Sequence, residues 1–279
     1  MSFRPVFYAV GLFACGLAFA QTPLPAPTLQ AVDHRQVEIL VAGAPSPAGT
    51  VVFENGLRET LDSWTQVMKA LAPRARIFAY NRPGYGRSGA VEGPREGAVV
   101  VEELRHTLRA AGLPPPYILV GHSMGGLYMQ EFARAHAEEV IGVVLVDSIY
   151  PGIIKRTEDF PLYTRVAKRL FFSSTVNREI DGIHATGDAV VALPAQDEIP
   201  MIRLFNVPKS AGAVAVDFGT VDEDPSVRAR IEALYPHARK VIVDSDHRIQ
   251  EANPEIVAKT IGELLQQSEA RRGGTAVTR

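Results

Sequence analysis

The chain has 279 residues, 46% of them apolar and 22% charged, with a formal net charge of −2. That balance gives no electrostatic reason to bind nucleic acid or an anionic membrane. The length suits one large core rather than two full domains, and the single cysteine, Cys15, rules out an intrachain disulfide framework.

At the N-terminus, Arg4 precedes an apolar run from Val6 to Ala20. The run is short for a membrane-crossing helix, which needs ~20 apolar residues. Ala18-Phe19-Ala20 has small residues where signal peptidase requires them, and Pro23, Pro25 and Pro27 forbid helix continuation. Residues 1–20 are therefore expected to be a cleaved export signal. The product would be periplasmic or secreted, with no stable membrane insertion after cleavage. The alternative is a lipid anchor on Cys15, since Leu12-Phe13-Ala14-Cys15-Gly16 loosely resembles a lipobox, with Phe13 bulky for that role. Residues 21–35 form a Pro-rich segment.

From there the chain alternates two periodicities. Gln36–Val41, Thr50–Glu54, Arg76–Tyr80, Tyr117–Gly121, Val140–Val146, Pro200–Phe205 and Lys240–Val243 are short, apolar and rich in β-branched residues, as strands buried on both faces should be. Between them lie helical stripes. Trp64, Val67, Met68 and Leu71 make the first, with Asp62 or Ser63 available as N-cap. Val100, Val101, Leu104 and Leu108 make a second, ended by Gly112 and Pro114. A third runs from Leu127 to His136. Asp224-Pro225 and Asn253-Pro254 open two more, each a capping residue followed by proline.

Alternating strands and helices predict an α/β domain over 36–266, with a mostly parallel central sheet flanked by helices. The stretch 149–199 has no clear strand and one helical pattern, Arg165–Phe172, which suggests a small helical lid. Residues 267–279 are polar and read as a disordered tail.

Gly121-His122-Ser123-Met124-Gly125 is a G-x-S-x-G motif between a strand and a helical pattern. That context suits a sharp turn exposing a nucleophilic Ser123. A serine hydroxyl needs a base. His247, on the loop leaving the last strand, fits best among seven histidines. His122 lies in the turn itself, where its position points it away from Ser123. The base needs an orienting carboxylate. Asp147 ends the strand after the nucleophile's, at the edge where active-site groups of parallel sheets gather. Asp217 and Asp222 follow a later strand and stay open as alternatives. Oxyanion donors are expected from the backbone N–H of Met124 and of Leu57, the latter after Asn55-Gly56.

Together these residues resemble the α/β-hydrolase superfamily, from about Val37 to Leu265. Val51–Leu57 is similar to its oxyanion segment. Asn81–Ser88 is similar to its D-R-P-G-x-G-x-S turn, with Asn81 replacing aspartate. Ile118–Leu127 resembles the elbow, and Val144–Ser148 and Ser245–His247 resemble the remaining triad segments. The resemblance implies a Ser123–Asp147–His247 triad, since relatives with an E-x-G-L oxyanion segment often carry the acid at the Asp147 position. It implies acyl-bond hydrolysis of a small-molecule substrate without cofactor or metal. Serine at the elbow separates the chain from dehalogenases and epoxide hydrolases of this fold, which use aspartate there. Carboxylesterase-like activity is the first expectation. Peptidase or amidase activity, or an inactive binding protein of the same fold, are the alternatives. Nothing in the pattern specifies an oligomeric state.

Overall fold

The computed structural model describes residues 23–206 and 224–276. The expected export signal, Cys15, and the candidate acids Asp217 and Asp222 lie outside the described residues.

The β-branched runs form one eight-stranded sheet. Its strands are β1 (Thr28–Val32), β2 (Arg35–Ala42), β3 (Thr50–Glu54), β4 (Arg76–Tyr80), β5 (Tyr117–His122), β6 (Val140–Val146), β7 (Met201–Asn206) and β8 (Arg239–Val243). The order across the sheet is β1-β2-β4-β3-β5-β6-β7-β8. β2 runs antiparallel to its neighbours, and every pair from β4-β3 to β7-β8 is parallel.

Helices cover both faces. They are α1 (Thr65–Leu71), α2 (Gly97–Ala110), α3 (Met124–Ala135), α4 (Leu162–Phe171), α5 (Ser174–Ala192), α6 (Pro225–Leu234), α7 (Ile249–Ala252) and α8 (Pro254–Ala276). Strand side chains alternate between the two faces. Val52, Phe78, Leu119, Val143 and Leu145 meet Val100, Leu104 and Leu108 of α2 and Leu127 and Phe132 of α3. Val51, Ile77, Ile118, Val120 and Val144 meet Trp64, Val67 and Met68 on one side and Val257, Ile261 and Leu264 of α8 on the other. A sheet buried on both faces has no alternation to display, which is why these strands read as continuous apolar runs.

Three expectations need correction. The Pro-rich segment 21–35 contains β1, a largely exposed edge strand joined to β2 through Asp33 and His34, both at positive φ. The sheet therefore starts before residue 36. Residues 267–276, expected to be disordered, continue α8. Gln266, Gln267, Glu269, Ala270 and Arg271 are good helix formers and extend a helix already nucleated by its apolar stripe. The first helix is also preceded by a 3-10 turn, Leu61–Trp64, and has no side-chain cap from Asp62 or Ser63.

Between β6 and β7 there are two helices of opposite character. α5 buries Val176, Ile180, Ile183 and Val190 in the core shared by α2 and α3. Its Thr186 Oγ1 accepts a hydrogen bond from the Gly97 N–H at 2.8 Å, and Gly182 lies close against the Arg95 carbonyl. α4 is amphipathic, with its buried residues, Thr164 and Lys168, on its polar side.

Candidate active site

Parallel register brings the C-terminal ends of five strands to one edge. Glu54 pairs with Gly121, His122 with Val146, Val146 with Leu204 and Asn206 with Val243. After β3, β5, β6 and β8 come Asn55, Ser123, Asp147 and the loop carrying His247.

Ser123 has φ 51° and ψ −118°, a conformation an L-residue rarely adopts, and it stands at the head of α3. Such a residue costs about 1–3 kcal/mol and persists only where its surroundings impose it. They do so here. A Cβ on Gly121 would lie 2.6 Å from the Gly125 carbonyl oxygen, and one on Gly125 would lie 2.5 Å from the carbonyl oxygens of Glu54 and Asn55. The motif glycines let strand, helix and the loop after β3 close onto each other. Met124 is the first residue of α3, so its N–H belongs to the helix terminus that lacks intrahelical acceptors.

The structure brings Asp147 and His247 together. The Nδ1–H of His247 donates to Asp147 Oδ2 at 2.7 Å. The other carboxylate oxygen, Oδ1, accepts from the backbone N–H of Asn206 at 3.2 Å. Asp147 is itself at φ 42°. The His247 side chain is 56% exposed; its partial desolvation works against a charged imidazole, but the hydrogen bond and charge of Asp147 outweigh it and raise the His247 pKa above its ordinary value. With Nδ1 occupied, Nε2 is the ring nitrogen able to take a proton.

Two buried networks around this edge have no motif of their own. The first centres on His122. Its Nδ1 lies 2.8 Å from Glu59 Oε2, and its Nε2 donates to the backbone carbonyl of His247 at 2.9 Å. Glu59 also accepts from the Gly56 N–H at 3.1 Å and pairs with Arg248 at 3.2 Å. Burial would push the Glu59 carboxyl up, but His122, Gly56 and Arg248 hold it below the usual range. His122 ties the elbow to the loop after β3 and to the loop of His247, with the two imidazole rings 4.6 Å apart.

The second network centres on Arg82, from the Asn-Arg-Pro-Gly turn after β4. The side chain is fully buried and all five of its N–H donors are used. Nε and one Nη2 hydrogen reach Glu179 of α5 at 2.9 and 3.0 Å. Nη1 reaches Glu54 and the Asn55 carbonyl, both at 2.6 Å, and Nη2 reaches the Gly56 carbonyl at 3.1 Å. The peptide between Gly56 and Leu57 is planar and trans, so holding its carbonyl fixes the opposite direction of the Leu57 N–H. Arg82 therefore aims the N–H singled out from the sequence. Asn81, which replaces the resembled aspartate, bonds the Leu61 N–H and Glu38, so Glu38 of β2 supplies the carboxylate of that turn.

Removing the Arg82 guanidinium would leave the buried Glu54 and Glu179 carboxylates facing each other. Arg82→Met is expected to destabilise the protein by about 3–5 kcal/mol. Urea unfolding would read this as a lower midpoint at unchanged slope. A loss under about 1 kcal/mol, the size of an exposed pair, would contradict it.

Among the described residues, His136, Glu138 and Glu139 lie close enough to share a metal ion. They sit after α3, away from this edge, and His136 and Glu139 are engaged by Glu102 and Arg105.

The chain matches the family model for the alpha/beta hydrolase fold over residues 49–196, more than half its length. It is 26% identical over 209 residues to the uncharacterized protein YqjL of Bacillus subtilis, covering 75% of this chain and 80% of that one. Among solved structures, an enol-lactonase from Burkholderia xenovorans aligns with a TM-score of 0.62 at 19% identity, over 86% of this chain and 100% of that one. A haloalkane dehalogenase loop variant from Bradyrhizobium elkanii aligns with a TM-score of 0.66 at 17% identity, over 90% of this chain and 99% of that one. At these identities the structural likeness concerns the fold.

Proposed function

Since the chain belongs to the α/β-hydrolase family, we propose that it is a serine hydrolase acting on an ester bond of a small-molecule substrate through an acyl-enzyme. The observation that carries this reading is the 2.7 Å bond between Asp147 and His247 at the same sheet edge as the strained Ser123. Ser123 Oγ attacks the acyl carbon while His247 Nε2 takes its proton. Asp147 stabilises the imidazolium that forms. The N–H groups of Met124 and Leu57 receive the negative charge developing on the carbonyl oxygen. The imidazolium then protonates the departing alcohol. Water, deprotonated by His247, releases the acid and restores Ser123. Serine rather than aspartate at the elbow favours acyl transfer over the alkyl-ester chemistry implied for dehalogenases of this fold. Export, with processing after Ala20, belongs to the same proposal.

The test is covalent labelling. Incubation with a fluorophosphonate should give one adduct per chain, with fluoride displaced by Ser123 Oγ, and peptide mapping should place it on Ser123. Heat-denatured protein should not react. A folded sample that stays unlabelled, or one labelled on another serine, would overturn the reading.

A further inference from the structure

α4 is turned inside out. A helix on a globular protein normally buries its apolar stripe and shows water its polar one. In α4 the residues facing the protein are Thr164, fully buried, and Lys168, whose ammonium pairs with Asp181 of α5. The residues facing outward are Leu162, Tyr163, Val166, Leu170 and Phe171, with exposures of 72, 59, 48, 69 and 77%. Leu162, Val166 and Leu170 follow at i, i+4 and i+8, so they form one continuous row, with Tyr163 beside it and Phe171 exposed at the last residue of the helix. A contiguous apolar surface of this kind marks an interaction site.

Charge narrows the kind of partner. α4 carries Arg165, Lys168 and Arg169 and no acidic residue. Arg165 and Arg169 are exposed and lie along one border of the apolar row. Exposed Lys155 and Arg156 precede the helix, set against exposed Glu158 and Asp159. Arg58, also exposed, stacks over Phe172 with its guanidinium 5.0 Å from the ring centre, which adds one more cation where α4 meets the loop after β3. A second copy of the chain would bring two sets of these arginines together on one small face, at a cost in like-charge repulsion. An anionic lipid surface meets both the row and its border.

We infer that α4 is a docking surface for an anionic lipid bilayer. Ten residues at 1.5 Å each give about 15 Å of helix, half of what crossing a hydrocarbon core requires. Among the described residues no helix is long and apolar enough to cross. The helix therefore lies along the headgroup layer, its apolar row inserted and Arg165 and Arg169 at the phosphates.

Fluorescence tests this locally. The only tryptophan, Trp64, is fully buried, so the full-length Tyr163→Trp protein carries one reporter on α4, insensitive to membrane attachment through residues 1–20 alone. Vesicles of phosphatidylcholine with phosphatidylglycerol should shift its emission to the blue, and brominated acyl chains should quench it. The shift should weaken in high salt. Phosphatidylcholine alone should bind at least tenfold more weakly. Adding Leu162→Ser and Leu170→Ser should lower affinity for the mixed vesicles by roughly tenfold or more. Arg165→Gln with Arg169→Gln should abolish the preference for phosphatidylglycerol. Hydrolysis of a soluble ester should be unchanged in all of these variants. Ser123→Ala should dock as well as the parent, so failure of the catalytic reading would leave docking standing. No shift with either vesicle, equal binding to both, or a wild-type dimer in light scattering that Leu162→Ser and Leu170→Ser convert to monomer would overturn the proposal.

Discussion

Ser123→Ala is expected to reduce ester turnover by several orders of magnitude, on the order of 10⁶ by the precedent of a serine protease stripped of its nucleophile. The effect is large because the other groups act through Ser123. His247 has no proton to take and the oxyanion donors have no covalent intermediate to receive. The fold should survive. Position 123 is already held at positive φ by Gly121, Gly125 and the carbonyls around them, and alanine inherits that strain without adding any. The Ser123 hydroxyl supplies no cap to α3, so its loss strands no partner there. Unfolding by urea should match the parent while turnover falls to background. Activity within tenfold of the parent, in protein free of contaminating hydrolase, would remove Ser123 from the mechanism.

Asp147→Asn should cost about 10⁴ in turnover, following the serine-protease precedent. The amide can still accept from the Asn206 N–H, so the side chain stays in place. Its other end now faces His247 as an NH2 donor or a neutral oxygen. A donor there forces the neutral ring to keep its lone pair on Nδ1 and its proton on Nε2, the tautomer that cannot accept from Ser123. Asp147 also sets the pH dependence. A general base works when neutral, so activity falls as pH drops through the His247 pKa. Because partial desolvation lowers that pKa and Asp147 raises it further, the acid limb of kcat/KM should lie above the ordinary histidine value. In Asp147→Asn the limb should move to lower pH along with the loss in rate. A rate loss with an unmoved limb would mean that Asp147 only braces the end of β6.

How much of this was legible in the sequence depended on the range of the forces involved. Thr50–Glu54, Arg76–Tyr80 and Val140–Val146 fall where the apolar runs end, because a doubly buried strand must be apolar throughout and stops where polarity returns. The G-x-S-x-G turn is local too, since its glycines are required by contacts within a few residues or with one neighbouring loop. β1 is hard to read because a five-residue, mostly exposed edge strand carries no continuous apolar run, and its turn uses Asp33 and His34 at positive φ rather than glycine. α5 is hard to read because Thr175, Val176, Thr186, Val190, Gly182 and Gly187 are poor helix formers. What holds that helix is close packing against α2 and α3. The Arg82 network lies furthest from sequence reasoning. Arg82 reads as part of a turn, and Glu179 lies in a stretch to which the sequence assigns no element. Their pairing spans 97 positions and follows only from the topology that places α5 over the end of β3. His122 shows a middle case. The motif fixes the way it faces, but its partners, Glu59 and the His247 carbonyl, come from two other loops.

The saturation of Arg82 limits how this protein can be re-engineered. Loop and insert exchange is a common route to altered selectivity in modular scaffolds, and the stretch between β6 and β7 looks like the segment to exchange. Yet that stretch delivers Glu179, which takes two of the five guanidinium donors. A transplanted segment without an acceptor at that point would leave two N–H groups unpaired in a dry interior and free the arginine to swing away from the Asn55 and Gly56 carbonyls. A chimera of this protein would then lose rate before it gained a new preference. The workable cut lies between α4 and α5, with Glu179 kept by the recipient and only the outward-facing helix replaced.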